Sequence, residues 1–331
     1  MSSFKFDKAM SDEDDTQIEE GEEEEEQEPV ECKLTEQTCG DSLSLLCKIG
    51  NGLSHAYVKM NLHGKSLTDI SIISAFVHVR YLDLSDNKLD SLSPLSALTH
   101  LLTLKADNNR LTSAALPQMP YLQRASFQNN GITTTEGISH PLLEVLNLNN
   151  NKITEAKFDG EALKKLSVLE LRGNQLTSTA GLGLPKLQRL YLGENLLTQL
   201  SDLEKCVSLK ILHLRGDGET TNQLESLDGF SKNMVALQYL NLRGTKISAL
   251  KPEIKKIKCL PMLRGLILKD TPVSKEEEYR IEVIMNIRNL ERLDKDIFTD
   301  EERQEAQELY RQREEEGKLS ENNPDGAMFL E

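Results

Sequence analysis

Leucine stands at the first, fourth, sixth and eleventh positions of Leu166–Leu176 (LSVLELRGNQL), and asparagine at the ninth. Val79–Leu89 (VRYLDLSDNKL), Leu143–Ile153 (LEVLNLNNNKI) and Leu187–Leu197 (LQRLYLGENLL) are close copies. The ninth-position residues are Lys65, Asn87, Asn109, Asn130, Asn151, Asn174 and Asn195, then an irregular one, then Thr245 and Thr271. Apolar and polar residues alternate over positions three to seven, the period of a strand with one buried face. One short strand per repeat, stacked on its neighbours, predicts an α/β solenoid with a parallel sheet on its concave face. About ten repeats of roughly 21–26 residues span 57–278.

Positions one, four, six and eleven point into the core. The asparagine turns inward, where its amide bonds the backbone of loops that cannot reach water. On the return path Leu92, Leu95 and Leu98 fill the convex side of the second repeat. Each end of the stack needs a cap. For 41–56 the expectation is a short helix over Leu43, Leu45, Leu46 and Cys47, N-capped by Asp41 or Ser42 and stopped by Gly50-Asn51-Gly52. For 279–298 it is a helix carrying Ile281, Ile284, Ile287 and Leu290, ending near Leu293-Asp294. A helix over 299–316 is polar nearly all round, so it bridges solvent or folds on a partner. The segments 1–40 and 317–331 read as disordered tails. In the eighth repeat seven residues, RGDGETT, separate Leu214 from Asn222 where two would do. This predicts a loop bulging from the edge of the concave face. Its Arg215-Gly216-Asp217 is read as a chance occurrence rather than an adhesion motif.

Charge sharpens this picture. The formal net charge is −15, but residues 11–31 hold thirteen acids and no Lys or Arg, and 299–331 hold eleven acids against four bases. The stretch 32–298 is left at +4, with 33 basic and 29 acidic side chains. The body is mildly basic and both ends are acidic. MSSFKFDKAM lacks the apolar core of a signal peptide, and no run is long enough to span a membrane. The five cysteines, Cys32, Cys39, Cys47, Cys206 and Cys259, are odd in number and scattered, as expected of reduced thiols in a cytosolic compartment. Cys32, Cys39 and Cys47 lack the paired spacing of a metal site.

No catalytic set is apparent. The six histidines are dispersed, and no nucleophile triad, phosphate loop or HExxH motif is present. The expectation is a non-enzymatic protein-binding scaffold without a cofactor, metal or small-molecule substrate. Positions three, five and seven point out of the concave face. Position seven supplies Arg172, Arg215, Arg243 and Lys269; position three supplies Tyr81, Arg124, Arg189 and Tyr239; position five supplies Glu170, Tyr191 and His213. Polar residues dominate the N-terminal half of that face, and basic residues interleaved with tyrosine the C-terminal half. Tyrosine beside arginine is the composition of interface anchors. Alternatively Glu170, Glu194 and Asp270 neutralise the row within the face. If they do not, an acidic patch on a partner or the chain's own acidic N-terminal tail would satisfy it. Nucleic acid is a poorer fit to a body at only +4 with acidic arms.

The period and template identify the chain as a member of the short leucine-rich-repeat superfamily, a horseshoe fold. LSLLCKIGNGLSHAYVKM at 43–60, SPLSALTHLLTLKADNNRL at 93–111, TEGISHPLLEVLNL at 135–148, LQYLNLRG at 237–244 and NLERLDK at 289–295 narrow it further. Together with LTDI at 67–70 they resemble the leucine-rich-repeat proteins of ciliary and flagellar radial spokes. The likeness runs from about residue 43 to about 313. It implies a structural component of the axoneme at the third spoke, binding spoke-head proteins and supporting sperm motility, with no enzyme activity. It fixes no site residues. A regulatory subunit that positions a protein phosphatase is the alternative.

Overall fold

A computed structural model describes residues 31–50, 52–287 and 289–321, with side chains of the last helix described to Glu315. From the second repeat onward each template forms a three-residue strand, because only positions three to five are extended before the chain turns inward. These strands are β3 (Tyr81–Asp83), β4 (Thr103–Lys105), β5 (Arg124–Ser126), β6 (Val145–Asn147), β7 (Val168–Glu170), β8 (Arg189–Tyr191), β9 (Ile211–His213), β10 (Tyr239–Asn241) and β11 (Gly265–Ile267). With β1 (Leu43–Ile49), β2 (Ser54–Asn61), β12 (Arg292–Leu293) and β13 (Asp296–Ile297) they form a 13-stranded open sheet in sequential order. All pairs from β2 to β12 are parallel, and the fourth template position is in register from Met60 to Leu293.

The buried amide holds this register. Asn195 donates to the carbonyls of Leu192 and Gly193 in its own repeat and of Leu171 in the one before. Its carbonyl oxygen accepts from the backbone of Leu176 at 3.1 Å. Asn87, Asn109, Asn130, Asn151 and Asn174 make the same set. Asn222 does too, reaching Leu192, Leu214 and Arg215 and accepting from Leu197. The eighth repeat is therefore longer but regular at its amide. Its extra residues close on Asp217, which accepts from the backbone of Glu219, Thr220 and Thr221. Gly216 lets the loop pass the next repeat, since a Cβ there would sit 2.7 Å from the Gly244 carbonyl. Thr245 and Thr271 replace the amide by a hydroxyl, which donates to the carbonyls of Leu242 and Leu268 in their own repeats.

The N-terminal cap differs from expectation. Leu43–Ile49 is a strand, antiparallel to β2, and Gly50 and Gly52 turn a hairpin at positive φ instead of ending a helix. The helix, α1 (Glu36–Ser42), lies earlier and is N-capped by Thr35, whose hydroxyl accepts from the Thr38 amide. It buries Cys39 over the end of the core. A register pairing Leu43 with Met60 continues the sheet, and tertiary pairing here overrides the local helical spacing of leucines. Structure also begins before residue 40: the backbone of Leu34 donates to Asp69 at 2.9 Å. The expected tail over 1–30 lies outside the described residues, as does the segment 322–331.

At the other end α3 (Tyr279–Asn286) buries Val283, Ile284 and Met285. The seal is Asp294, which accepts from the backbone of Leu268 and Lys269 and from the Tyr279 hydroxyl. The polar helix α4 (Asp300–Glu321) packs on α3, with Ala306 buried and Leu309 and Tyr310 half-buried. Ion pairs make up for its thin apolar stripe. Arg280 grips Glu302 through two nitrogens, and Arg313 reaches Glu278 and buried Glu282 at 2.8 and 2.7 Å. The guanidiniums of Arg280 and Arg303 both lie over the Phe298 ring, 4.9 and 5.5 Å from its centroid. One return segment is also α-helical: α2 (Leu250–Ile257) buries Leu250, Ile254 and Ile257 at i, i+4, i+7 spacing with Pro252 in its first turn.

Asn195→Ala strands one amide and three carbonyls, so urea unfolding should show a loss of about 3 kcal/mol. Thr271→Ala strands one carbonyl and should cost about 1 kcal/mol. Equal losses would contradict the cross-repeat role of the amide. The α3–α4 seam carries a pH signature. The Arg280 hydrogen bond holds the Glu302 carboxyl below its ordinary pKa. A depressed folded-state pKa stabilises above the unfolded value, and that contribution disappears as pH falls through the folded value. The melting-temperature gap between the wild type and Glu302→Gln should be widest near neutrality and close in acid.

Candidate functional site

The register that buries positions four and six puts positions three, five and seven on the solvent face of the sheet. Over β7, β8 and β9 these form a hollow of about 370 Å³, bordered by Glu170, Arg172, Tyr191, His213, Arg215 and Asn241. Gly193 forms its floor. A Cβ there would meet Arg172 Cγ at 3.8 Å and Arg215 Cβ at 3.9 Å, ordinary contact distances. The hollow thus exists because position seven of this repeat carries no side chain.

The charges are interleaved within the chain. Arg172 holds Glu194 through Nε at 3.0 Å and Nη2 at 2.8 Å, and Arg215 Nη2 holds the same carboxylate at 2.9 Å. Arg243 Nε pairs with Asp270 at 2.6 Å. Both acids occupy position eight, whose backbone is left-handed: φ is +57° at Glu194 and +63° at Asp270. That turn lifts the side chain onto the rim beside the arginines. Glu170 takes no part, and accepts instead from the Asn149 amide at 2.8 Å. Lys269 is exposed and makes no ion pair among the described residues. The expected free basic row is therefore largely neutralised by Glu194 and Asp270, which resolves the sequence alternatives for Arg172, Arg215 and Arg243.

Beside the charges runs an aromatic line. Tyr191 meets His213 edge-on with centroids 4.9 Å apart, and His213 meets Tyr239 at 5.4 Å. Burial lowers the His213 pKa and raises that of Tyr239, so both are neutral near pH 7. Gly265 makes room for the Tyr239 ring, since a Cβ would lie 2.8 Å from its Cδ2. Surfaces of this kind hold a partner by rigid aromatic area with polar groups at the border.

Not all the sequence-predicted residues gather here. Glu170, Arg172, Tyr191, His213 and Arg215 do. Arg189, Tyr239, Arg243 and Lys269 flank them on the same face. Tyr81 on β3 and Arg124 on β5 are exposed but stand four and two strands before β7. The sequence reading missed position eight as a class. Asp86, Asn108, Asn129 and Asn150 there are all left-handed and form a second, exposed ladder, each asparagine amide donating to the side chain of the repeat before. The recurring Gly, Asn and Asp at that position was the available signal, because those residues tolerate positive φ. Among the described residues no group of three or more His, Cys, Asp or Glu could hold a metal ion, and no helix is long and apolar enough to cross a membrane.

Residues 164–205 match the family model "Leucine Rich repeats (2 copies)", and residues 78–101 the model "Leucine Rich Repeat". The leucine-rich repeat domain of APL1B superposes with a TM-score of 0.52 at 21% identity, over 65% of this chain and 61% of that one, a likeness of fold. The chain is 51% identical over 292 residues to leucine-rich repeat-containing protein 23 of Homo sapiens, covering 88% of this chain and 83% of the human one. Against the Xenopus tropicalis protein of that name identity is 51% over 290 residues, 87% of this chain and 81% of the other. With identity of this extent over most of both lengths, the chain belongs to the leucine-rich repeat-containing protein 23 family.

Proposed function

We propose that the chain is a non-catalytic scaffold of the axoneme in the cytoplasm of cilia and flagella. It helps assemble or anchor the head of the third radial spoke by binding spoke-head proteins, and so supports sperm motility. The observation that carries protein binding is the hollow over Gly193. It sets neutral aromatic rings beside a border of alternating charge on a rigid sheet. The axonemal assignment rests on the resemblance of the segments at 43–60, 93–111, 135–148 and 237–244 to radial-spoke leucine-rich-repeat proteins. A second reading, a subunit positioning a protein phosphatase, draws support from the carboxylate of Glu170 beside Tyr191, a carboxylate that no arginine among the described residues holds.

Filling the hollow separates surface from fold. Gly193→Phe should occupy it without backbone strain, because the φ of Gly193 lies outside the left-handed region. The expected result is an unchanged melting temperature with loss of the protein from salt-washed axonemes. Retention at the wild-type level would contradict use of this hollow. Extraction of the wild type decides between the two readings. A scaffold stays with salt-washed axonemes, whereas a regulatory subunit leaves in the soluble fraction with its enzyme.

A further inference from the structure

A second surface lies at the other end of the sheet, on the hairpin that replaces the expected helical cap. Leu45 in β1 has φ +60°, the left-handed region that a branched apolar residue avoids. Its side chain is 52% exposed, so the core does not explain the conformation either. Leu45 instead borders a hollow of about 380 Å³ with Lys59, Tyr81, Asp83, Thr103 and Lys105. Beside it Leu46 and Tyr57 stand opposite each other in the hairpin register, both about half exposed. Backbone strain of this kind clusters at ligand-clamping positions, and adjoining exposed leucine and tyrosine side chains offer apolar surface that a partner can cover.

The charges here are unlike those at the first hollow. Arg172, Arg215 and Arg243 are held by carboxylates of the chain itself. Lys59 and Lys105 make no ion pair among the described residues. The one carboxylate in the hollow, Asp83, is already bonded to the Ser85 amide at 3.0 Å. With two lysines against the single carboxylate of Asp83, the N-terminal hollow keeps a net positive charge.

We propose that this hollow binds a segment of a partner protein in which an aliphatic or aromatic anchor is flanked by carboxylates. The anchor seats between Leu45 and Tyr81, and the carboxylates meet Lys59 and Lys105. The surface is separate from the hollow over Gly193, so the chain would present two partner sites on one sheet.

The test uses the full chain and two synthetic peptides, each with a Leu-Phe anchor, one flanked by glutamates and the other by lysines. Fluorescence anisotropy should show the acidic peptide binding at least about tenfold more tightly than its basic twin. Leu45→Gly removes the anchor contact and relieves the backbone. It should weaken acidic-peptide binding about tenfold while keeping or raising the melting temperature. Lys59→Glu with Lys105→Glu should abolish the preference between the twins. Gly193→Phe should bind the acidic peptide as the wild type does, which separates this site from the proposed axonemal surface. Equal binding of the twins, or no binding of either, overturns the proposal. So does a lowered melting temperature in Leu45→Gly, which would make the leucine structural. Self-association of the wild type that Leu45→Gly removes would make a second copy the occupant, and would likewise overturn it.

Discussion

The buried amide at the ninth template position is the interaction on which this architecture depends. After three extended residues each repeat must turn inward, and the turn points backbone amides and carbonyls at a core of leucine. No water reaches them. One asparagine side chain satisfies carbonyls of its own repeat and of the one before, and accepts an amide from the latter. Because the bonds cross repeats, they fix the register between neighbouring strands as well as the shape of each turn. The hydroxyls of Thr245 and Thr271 reach their own repeats only. Those last repeats are instead tied down by Asp294 and by the ion-paired α4.

That register dictates the chemistry of the open face. It stacks equivalent side chains about 4.8 Å apart, so a column of arginines would repel itself. The chain answers with acids at the neighbouring left-handed position, where Glu194 and Asp270 rise onto the rim and bind the arginines. Further toward the N-terminus the same position carries Asn108, Asn129 and Asn150, which bond one another. A single backbone feature thus yields an amide ladder in one half and interleaved charge in the other. In the C-terminal half, what remains open to a partner is aromatic area and the hollow over Gly193, more than net positive charge.

The fold was legible because the leucines and the asparagine repeat with a period that admits one solution. Asn222 shows the limit of counting. Its repeat looks broken in sequence, yet the inserted residues close on Asp217 and leave the amide in place. The N-terminal cap was misread because Leu43, Leu45, Leu46 and Cys47 fit a helix locally, while pairing with β2 decides the outcome. Of the site, position in the template told which side chains face outward. It could not tell their charge state as a group, since the pairing of Arg172 and Arg215 on Glu194 depends on a left-handed turn one residue along. Nor could it place Leu45, which combines a left-handed backbone with a half-exposed side chain.

On the proposed function, partners bind the sheet face and the return loops serve packing. Cross-linking mass spectrometry of intact demembranated flagella tests it most directly. Links to spoke-head proteins should concentrate on the sheet-face lysines Lys59, Lys105 and Lys269. Links confined to return-path lysines such as Lys164, Lys186 and Lys232 would contradict it.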